Sequence, residues 1–155
     1  MTTTAKMKRL MMVLPIAAAI LLPGCATHMD VAEGFVRLDD PGFYDVKAIS
    51  ADGVSVAARR VSVPGDSTLE FWAQAVGNEL TAQGYAPQPA EAITSDAGQP
   101  GKLLWFSREI QGRAYTYATA LYVRGSRLLL AEAGGPADAF EQHEPAIRQS
   151  LRSAR

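Results

Sequence analysis

KLLWFSREIQGRAYTYATALYVRGSRLLLAEA, residues 102–133, is the stretch that decides how this chain folds. It holds three β-type runs, Lys102 to Glu109, Arg113 to Val123 and Arg127 to Ala133, parted only by Ile110-Gln111-Gly112 and Arg124-Gly125-Ser126. Such short, glycine-bearing links leave no room for a parallel crossover, so the runs are antiparallel neighbours. In the middle run Tyr115, Tyr117, Thr119, Leu121 and Val123 share one face, and Ala114, Thr116, Ala118, Ala120 and Tyr122 share the other. The small residues of the second face predict a helix packed on it.

Working towards the N-terminus, Tyr85 to Pro100 is rich in Ala, Pro and Gln, with a short strand expected from Glu91 to Ser95. Before it, Leu69, Trp72, Ala73, Val76 and Leu80 recur at helical spacing and Gly84 supplies the stop. Ser67-Thr68-Leu69-Glu70 has the spacing of a capping box with Ser67 as the cap. Gly77, inside this helix, suggests close packing at that point. Further back, Asp52-Gly53 between Phe43 to Ile49 and Val54 to Val61 predicts a hairpin, and Gly34 to Leu38 a short strand. Towards the C-terminus, Gly134-Gly135-Pro136 opens a helical segment with Phe140, Ile147 and Leu151 as its apolar contacts. Pro145 predicts two short helices there, or one kinked helix. Strands, a helix, several antiparallel strands and a helix make an α+β domain, an antiparallel β-sheet with helices packed on it.

The first residues carry a different kind of information. A basic stretch ending in Lys8 and Arg9 precedes an apolar run from Leu10 to Leu22 and the exit sequence Leu21-Leu22-Pro23-Gly24-Cys25. As a helix the apolar run rises about 20 Å, short of the ~30 Å of a bilayer core, which suits a signal peptide. These residues resemble the lipobox of bacterial lipoproteins: Leu22, Gly24 and Cys25 match, and Pro23 departs from the usual small or hydroxylated residue. The resemblance implies cleavage between Gly24 and Cys25 and lipidation of Cys25. Two or three acyl chains hold a protein durably on a membrane, where one holds it marginally. Ala26 and Thr27, in place of an aspartate after the cysteine, point by the same resemblance to the inner leaflet of the outer membrane, facing the periplasm. A short transmembrane anchor and a cleaved signal with an incidental cysteine are the rival readings of these residues.

The expected organisation is thus a signal peptide (1–24), a lipidated cysteine and tether (25–34) and one periplasmic domain (35–155). Setting aside Lys6, Lys8 and Arg9 leaves 12 basic against 16 acidic side chains, a net charge of −4. That balance argues against nucleic acid as a partner. Cys25 is the only cysteine, which excludes a disulfide framework, a CxxC redox pair and a thiolate zinc site.

Chemistry-bearing constellations are scarce. The two histidines are His28, in the tether, and His143, in the last helical segment. No GxSxG elbow accompanies them, so hydrolase activity has little support. Among Asp138, Glu141, His143 and Glu144 only pairs such as Asp138 with Glu141 have the spacing to converge on a helix, with His143 pointing elsewhere, so the group reads as helix-terminal charges, not metal ligands. Asp96 to Gly101 lacks the spacing of a phosphate-binding loop. Trp105 and the tyrosines read first as core, second as the lining of a ligand groove. Arg59-Arg60 and the pair Arg124 and Arg127 read as solvated edge charges that discourage strand pairing.

Trp72 and Gly84-Tyr85 after the first hairpin, Leu104-Trp105-Phe106, Tyr115-Thr116-Tyr117 and the strand-then-helix ending from Leu128 to Leu151 resemble the PsbP-like and DcrB-like domains over about residues 43–153. The resemblance implies an α/β/α sandwich used in accessory, assembly and stabilisation roles. The functional expectation is a lipid-anchored, non-catalytic accessory or binding domain without a cofactor, meeting the membrane through Cys25 and an envelope protein through its surface. The alternative is a carrier or sensor of a small hydrophobic ligand held between sheet and helix.

Overall fold

A computed structural model describes residues 26–155. The expected signal peptide, the cleavage position Gly24 and the lipidation position Cys25 lie outside these described residues. The elements are β1 (Phe35–Arg37), β2 (Val46–Ser50), β3 (Ser55–Ser62), α1 (Leu69–Ala82), β4 (Ala86–Pro87), β5 (Glu91–Thr94), β6 (Pro100–Ile110), β7 (Arg113–Arg124), β8 (Arg127–Pro136) and α2 (Ala137–Ser153). One antiparallel sheet runs β1-β2-β3-β8-β7-β6, with β4 and β5 both pairing to β6. The α+β arrangement expected from the sequence is therefore present.

The two sides of β7 show how the pattern builds the layers. Ala118, Ala120 and Tyr122 join Phe140, Ile147 and Leu151 of α2 in one core. Leu121 meets Ala73 of α1 in the other, with Trp72, Val76, Leu80 and Tyr117 packed against it. Each face of the sheet is thus covered by one helix, and the alanines of β7 let α2 approach closely. A similar economy operates at Gly101 on β6. A Cβ there would lie 2.5 Å from the Tyr122 ring and 2.6 Å from the Leu121 carbonyl oxygen. Gly101→Ala should cost about 1–3 kcal/mol through overpacking. Gly77→Ala should instead raise stability by up to about 1 kcal/mol, since it meets nothing and improves helix propensity. Urea midpoints of the two variants read both signs.

Gly77 corrects one expectation: a Cβ on it has no neighbour within 4 Å, so no close packing holds it. It sits off the stripe that Leu69, Trp72, Val76 and Leu80 turn to the sheet. The cap of α1 is shifted by one residue from the expected capping box. Thr68 caps the helix by accepting from the Phe71 amide at 3.1 Å. The Ser67 hydroxyl is spent on the Pro64 carbonyl, and Glu70 pairs with Lys102 at 2.7 Å. The hairpin at Asp52-Gly53 forms as expected, with Gly53 at φ 90°. Pro145 does not divide the last helix, which runs as one element from Ala137 to Ser153. Pro145 and Glu141 are both exposed, so water reaches the carbonyl that proline leaves without a donor.

The arginine expectation also changes. β3, β7 and β8 are interior strands, so Arg59, Arg60, Arg124 and Arg127 guard no edge. Nor do residues 26–34 trail as a free tether. His28 and Arg155 exchange both backbone hydrogen bonds at 2.9 Å, the Asp30 amide donates to Ser153 Oγ at 2.9 Å, and the Ala32 amide donates to Ser150 Oγ at 3.3 Å. Met29 is fully buried in the α2-side core. The segment holds because the end of α2 offers small hydroxylated residues as acceptors and a slot for Met29. Among the described residues no helix is long and apolar enough to cross a membrane.

Candidate functional site

Two of the concavities beside the sheet are separated by their chemistry. The larger, about 520 Å³, lies between α2 and the β5–β6 side of the sheet, with Trp105, Phe140, Glu144 and Arg148 in its walls. Here β5 delivers Glu91, which accepts from the Trp105 indole at 2.9 Å and from both Arg148 terminal nitrogens at 3.0 and 3.1 Å. Arg148 also donates to Glu144 at 2.7 Å and lies over the Trp105 ring at 4.8 Å. The Arg148 guanidinium holds the Glu91 carboxyl below the ordinary carboxylate range, and Glu91 in turn raises Arg148. Glu91, Glu144 and Arg148 are thus matched to one another in this groove. The network ties β5 to α2.

On the α1 side the matching fails. A carboxylate interrupts the apolar run of β8 at Glu132, on the face that carries Leu128 and Leu130, and the residue is 9% exposed. Oε1 accepts from the Tyr117 hydroxyl at 2.6 Å. Oε2 faces Arg59 Nε at 3.6 Å, too far for a hydrogen bond, and both atoms are buried without a hydrogen-bond partner. Leaving such groups unmet costs about 1–3 kcal/mol each. The polar cleft opens into a pocket of about 370 Å³ walled by Phe43, Val76, Leu80, Tyr85 and Leu130. Phe43 is largely exposed and lies under Arg59 at 5.0 Å. Burial, reinforced by the Glu132 charge, pushes the Tyr44 hydroxyl up to about 12 and raises that of Tyr117 as well.

This geometry suits a molecule with a hydroxyl or amide that accepts from Arg59 and donates to Glu132, and with an apolar body along α1. Tyr117→Phe should cost about 2 kcal/mol in urea unfolding, because it strips a hydrogen bond from a buried carboxylate. Sequence reasoning missed Glu132. The available signal was one acid among leucines and alanines on a strand whose partner face is apolar.

The candidate residues singled out from the sequence are scattered. His143 Nε2 meets Asp52 at 2.9 Å, while its ring packs edge-on to Phe35 at 5.2 Å. The Ser50 hydroxyl donates to Asp52 and not to the histidine. Ser50 and His143 together hold the Asp52 carboxyl below its ordinary range. A serine nucleophile needs its base beside it, so this Ser–Asp–His arrangement is in the wrong order for acyl transfer. Asp138 pairs with Arg113 and Glu144 with Arg148, away from His143. His28 pairs locally with Asp30 at 2.6 Å. Among the described residues no group of three or more His, Cys, Asp or Glu side chains is placed to hold a metal. Trp105 lines the α2-side groove and Tyr117 the α1-side pocket, whereas Tyr122 is core.

A meander flanked by one helix on each face is an arrangement found in solved structures. The fold is that of the PsbP-like proteins. LpqN, involved in cell envelope biogenesis of Mycobacterium tuberculosis, superposes with a TM-score of 0.69 at 17% identity, covering 83% of this chain and 81% of that one. Cyanobacterial PsbP (CyanoP) from Synechocystis gives 0.62 at 17% identity, over 84% and 86% of the two chains. The Ran-binding protein Mog1p of Saccharomyces cerevisiae gives 0.56 at 13%, over 86% and 92%. No family model and no curated protein matches the sequence. At these identities the likeness concerns the fold alone.

Proposed function

We propose that this chain is a lipid-anchored, non-catalytic binding domain of the bacterial cell envelope. The observation that carries the reading is the abrupt join between anchor and domain. A lipobox-like sequence ends at Cys25, and by His28 the chain is already hydrogen-bonded into the fold. Likeness in fold to a protein involved in cell envelope biogenesis supports the same reading. On this account the domain sits against the periplasmic side of the outer membrane and works as an accessory to an envelope protein, without a cofactor. Turnover by the purified domain in an unbiased hydrolase screen, lost in His143→Ala, would sink the non-catalytic part.

The unmet pair Glu132 and Arg59 favours a second reading, a carrier or sensor of a small amphipathic ligand. The polar end of that ligand sits where the Glu132–Arg59 pair borders the pocket, and its apolar part lies along Val76 and Leu80. Native mass spectrometry of protein purified without detergent should show a co-purifying small mass, displaced in Leu80→Trp. A wild-type protein that carries no such mass rejects the ligand.

A further inference from the structure

We propose that the sheet surface just beyond the end of α2 is an oxyanion site that takes the phosphate of an anionic lipid headgroup. The register builds it. Tyr122 of β7 pairs with Leu129 of β8, which pairs with Arg60 of β3. One row further, Arg124 pairs with Arg127, which pairs with Ser62. Residues directly opposite on antiparallel strands, and those two further along, share a face. Arg60, Arg124 and Arg127 therefore emerge on the face that α2 covers elsewhere. α2 stops at Ser153, Ala154 is buried, and Arg155 adds a fourth arginine. Together these residues line a pocket of about 160 Å³ floored by Tyr122 and Leu129, with Gln99 beside them. That volume is several times the roughly 30 Å³ share of one water, enough for a tetrahedral oxyanion and its nearest waters.

Two simpler roles for these arginines fail. They do not protect an edge, because β3, β8 and β7 are interior strands. Nor does the end of α2 need them as caps. The Arg152 carbonyl accepts from the Asp96 amide at 2.9 Å, the Leu151 carbonyl from Tyr122 at 3.1 Å, and the Arg155 carbonyl from His28 at 2.9 Å. The nearby side-chain carboxylates are occupied. Asp96 pairs with Arg152 at 3.5 Å, and Asp45 accepts from the Thr27 hydroxyl and the Arg60 amide. Arg124 and Arg127 have no ion-pair partner among the described residues. In a domain with a net acidic balance, this corner is locally basic.

The source of the anion follows from the position. His28, three residues after Cys25, is bonded to Arg155 at the rim, and three residues span at most about 10 Å. An acylated Cys25 would hold the arginines at headgroup level. Only this choice of source rests on the proposed anchor; the pocket itself does not.

The test uses the unlipidated chain beginning at Ala26, whose described residues contain both cores, so it is independent of whether Cys25 is acylated. Binding is measured to phosphatidylcholine vesicles with and without phosphatidylglycerol, and separately to inorganic phosphate followed by amide chemical shifts. Binding to the mixed vesicles alone is expected. It should weaken about thirtyfold in Arg124→Gln/Arg127→Gln, at about 1 kcal/mol for each basic residue near an anionic surface, with the same thermal midpoint as wild type. Arg108→Gln/Arg113→Gln, elsewhere on the sheet, should bind as wild type does. Equal vesicle binding by the Arg124/Arg127 variant overturns the site. Saturation of the pocket by inorganic phosphate with no preference for the mixed vesicles overturns the lipid source and assigns a soluble anion.

Discussion

Phe140→Ala is expected to lower stability by about 3–5 kcal/mol, the range for emptying an aromatic core position. Phe140 stands on the first turn of α2 and is 2% exposed. It packs edge-on against Trp105 at 6.0 Å. The surroundings cannot collapse into the space it leaves, because Trp105 is fixed by Glu91 on one side and covered by Arg148 on another. That rigidity places the cost at the upper end, since a cavity that cannot shrink keeps its full penalty. At about 2–4 °C for each kcal/mol in a chain of this size, the thermal midpoint should fall by roughly 10–20 °C, read by circular dichroism. A loss below about 1 kcal/mol would mean that α2 is not seated on the sheet through this residue.

Alkaline pH should unfold the protein before its partly and fully buried phenols ionise. Burial, then the Glu132 charge, pushes Tyr44 up to about 12 and raises Tyr117 too. Burial, then Asp96, pushes Tyr122 up to about 12. Each of these groups holds its proton more tightly folded than unfolded. Their contribution to stability is complete below the ordinary phenol value of about 10 and is lost as pH rises from there towards 12. Circular dichroism and phenolate absorbance followed together should show one cooperative transition in that window, with three of the five tyrosines ionising only as the fold is lost. Phenolate from all five in a protein that keeps its secondary structure would contradict the raised values of Tyr44, Tyr117 and Tyr122.

The meander was legible because its determinants are local. Two glycine-bearing links fixed the antiparallel order, and the small residues along one side of β7 marked a face on which a helix would pack. The stripe on α1 and the stop at Gly84 were equally local. The cap was misplaced by one residue because Ser67 and Thr68 are both competent, and the turn at Pro64 decides between them by taking the Ser67 hydroxyl. Residues 26–34 were misread for the opposite reason. Their amides bond to Ser150 and Ser153 across almost the full length of the chain, and nothing near Met29 announces that pairing. The Glu91–Arg148 pair and the gap between Glu132 and Arg59 are likewise long-range, set only once the register of β8 against β3 and of β5 against β6 exists. Lone charges in apolar strands were the one legible sign.

The lipid anchor at Cys25 organises the functional account, and intact mass combined with membrane fractionation tests it most directly. Wild type and Cys25→Ala would be expressed in a Gram-negative bacterium from the full chain. Wild type should begin at Cys25, carry the mass of its acyl chains and sediment with the outer membrane. Cys25→Ala should carry no acyl mass and leave the membrane fraction. If wild type and variant are both unacylated and distribute alike, the anchor is wrong, and the domain is secreted free or held by some other means.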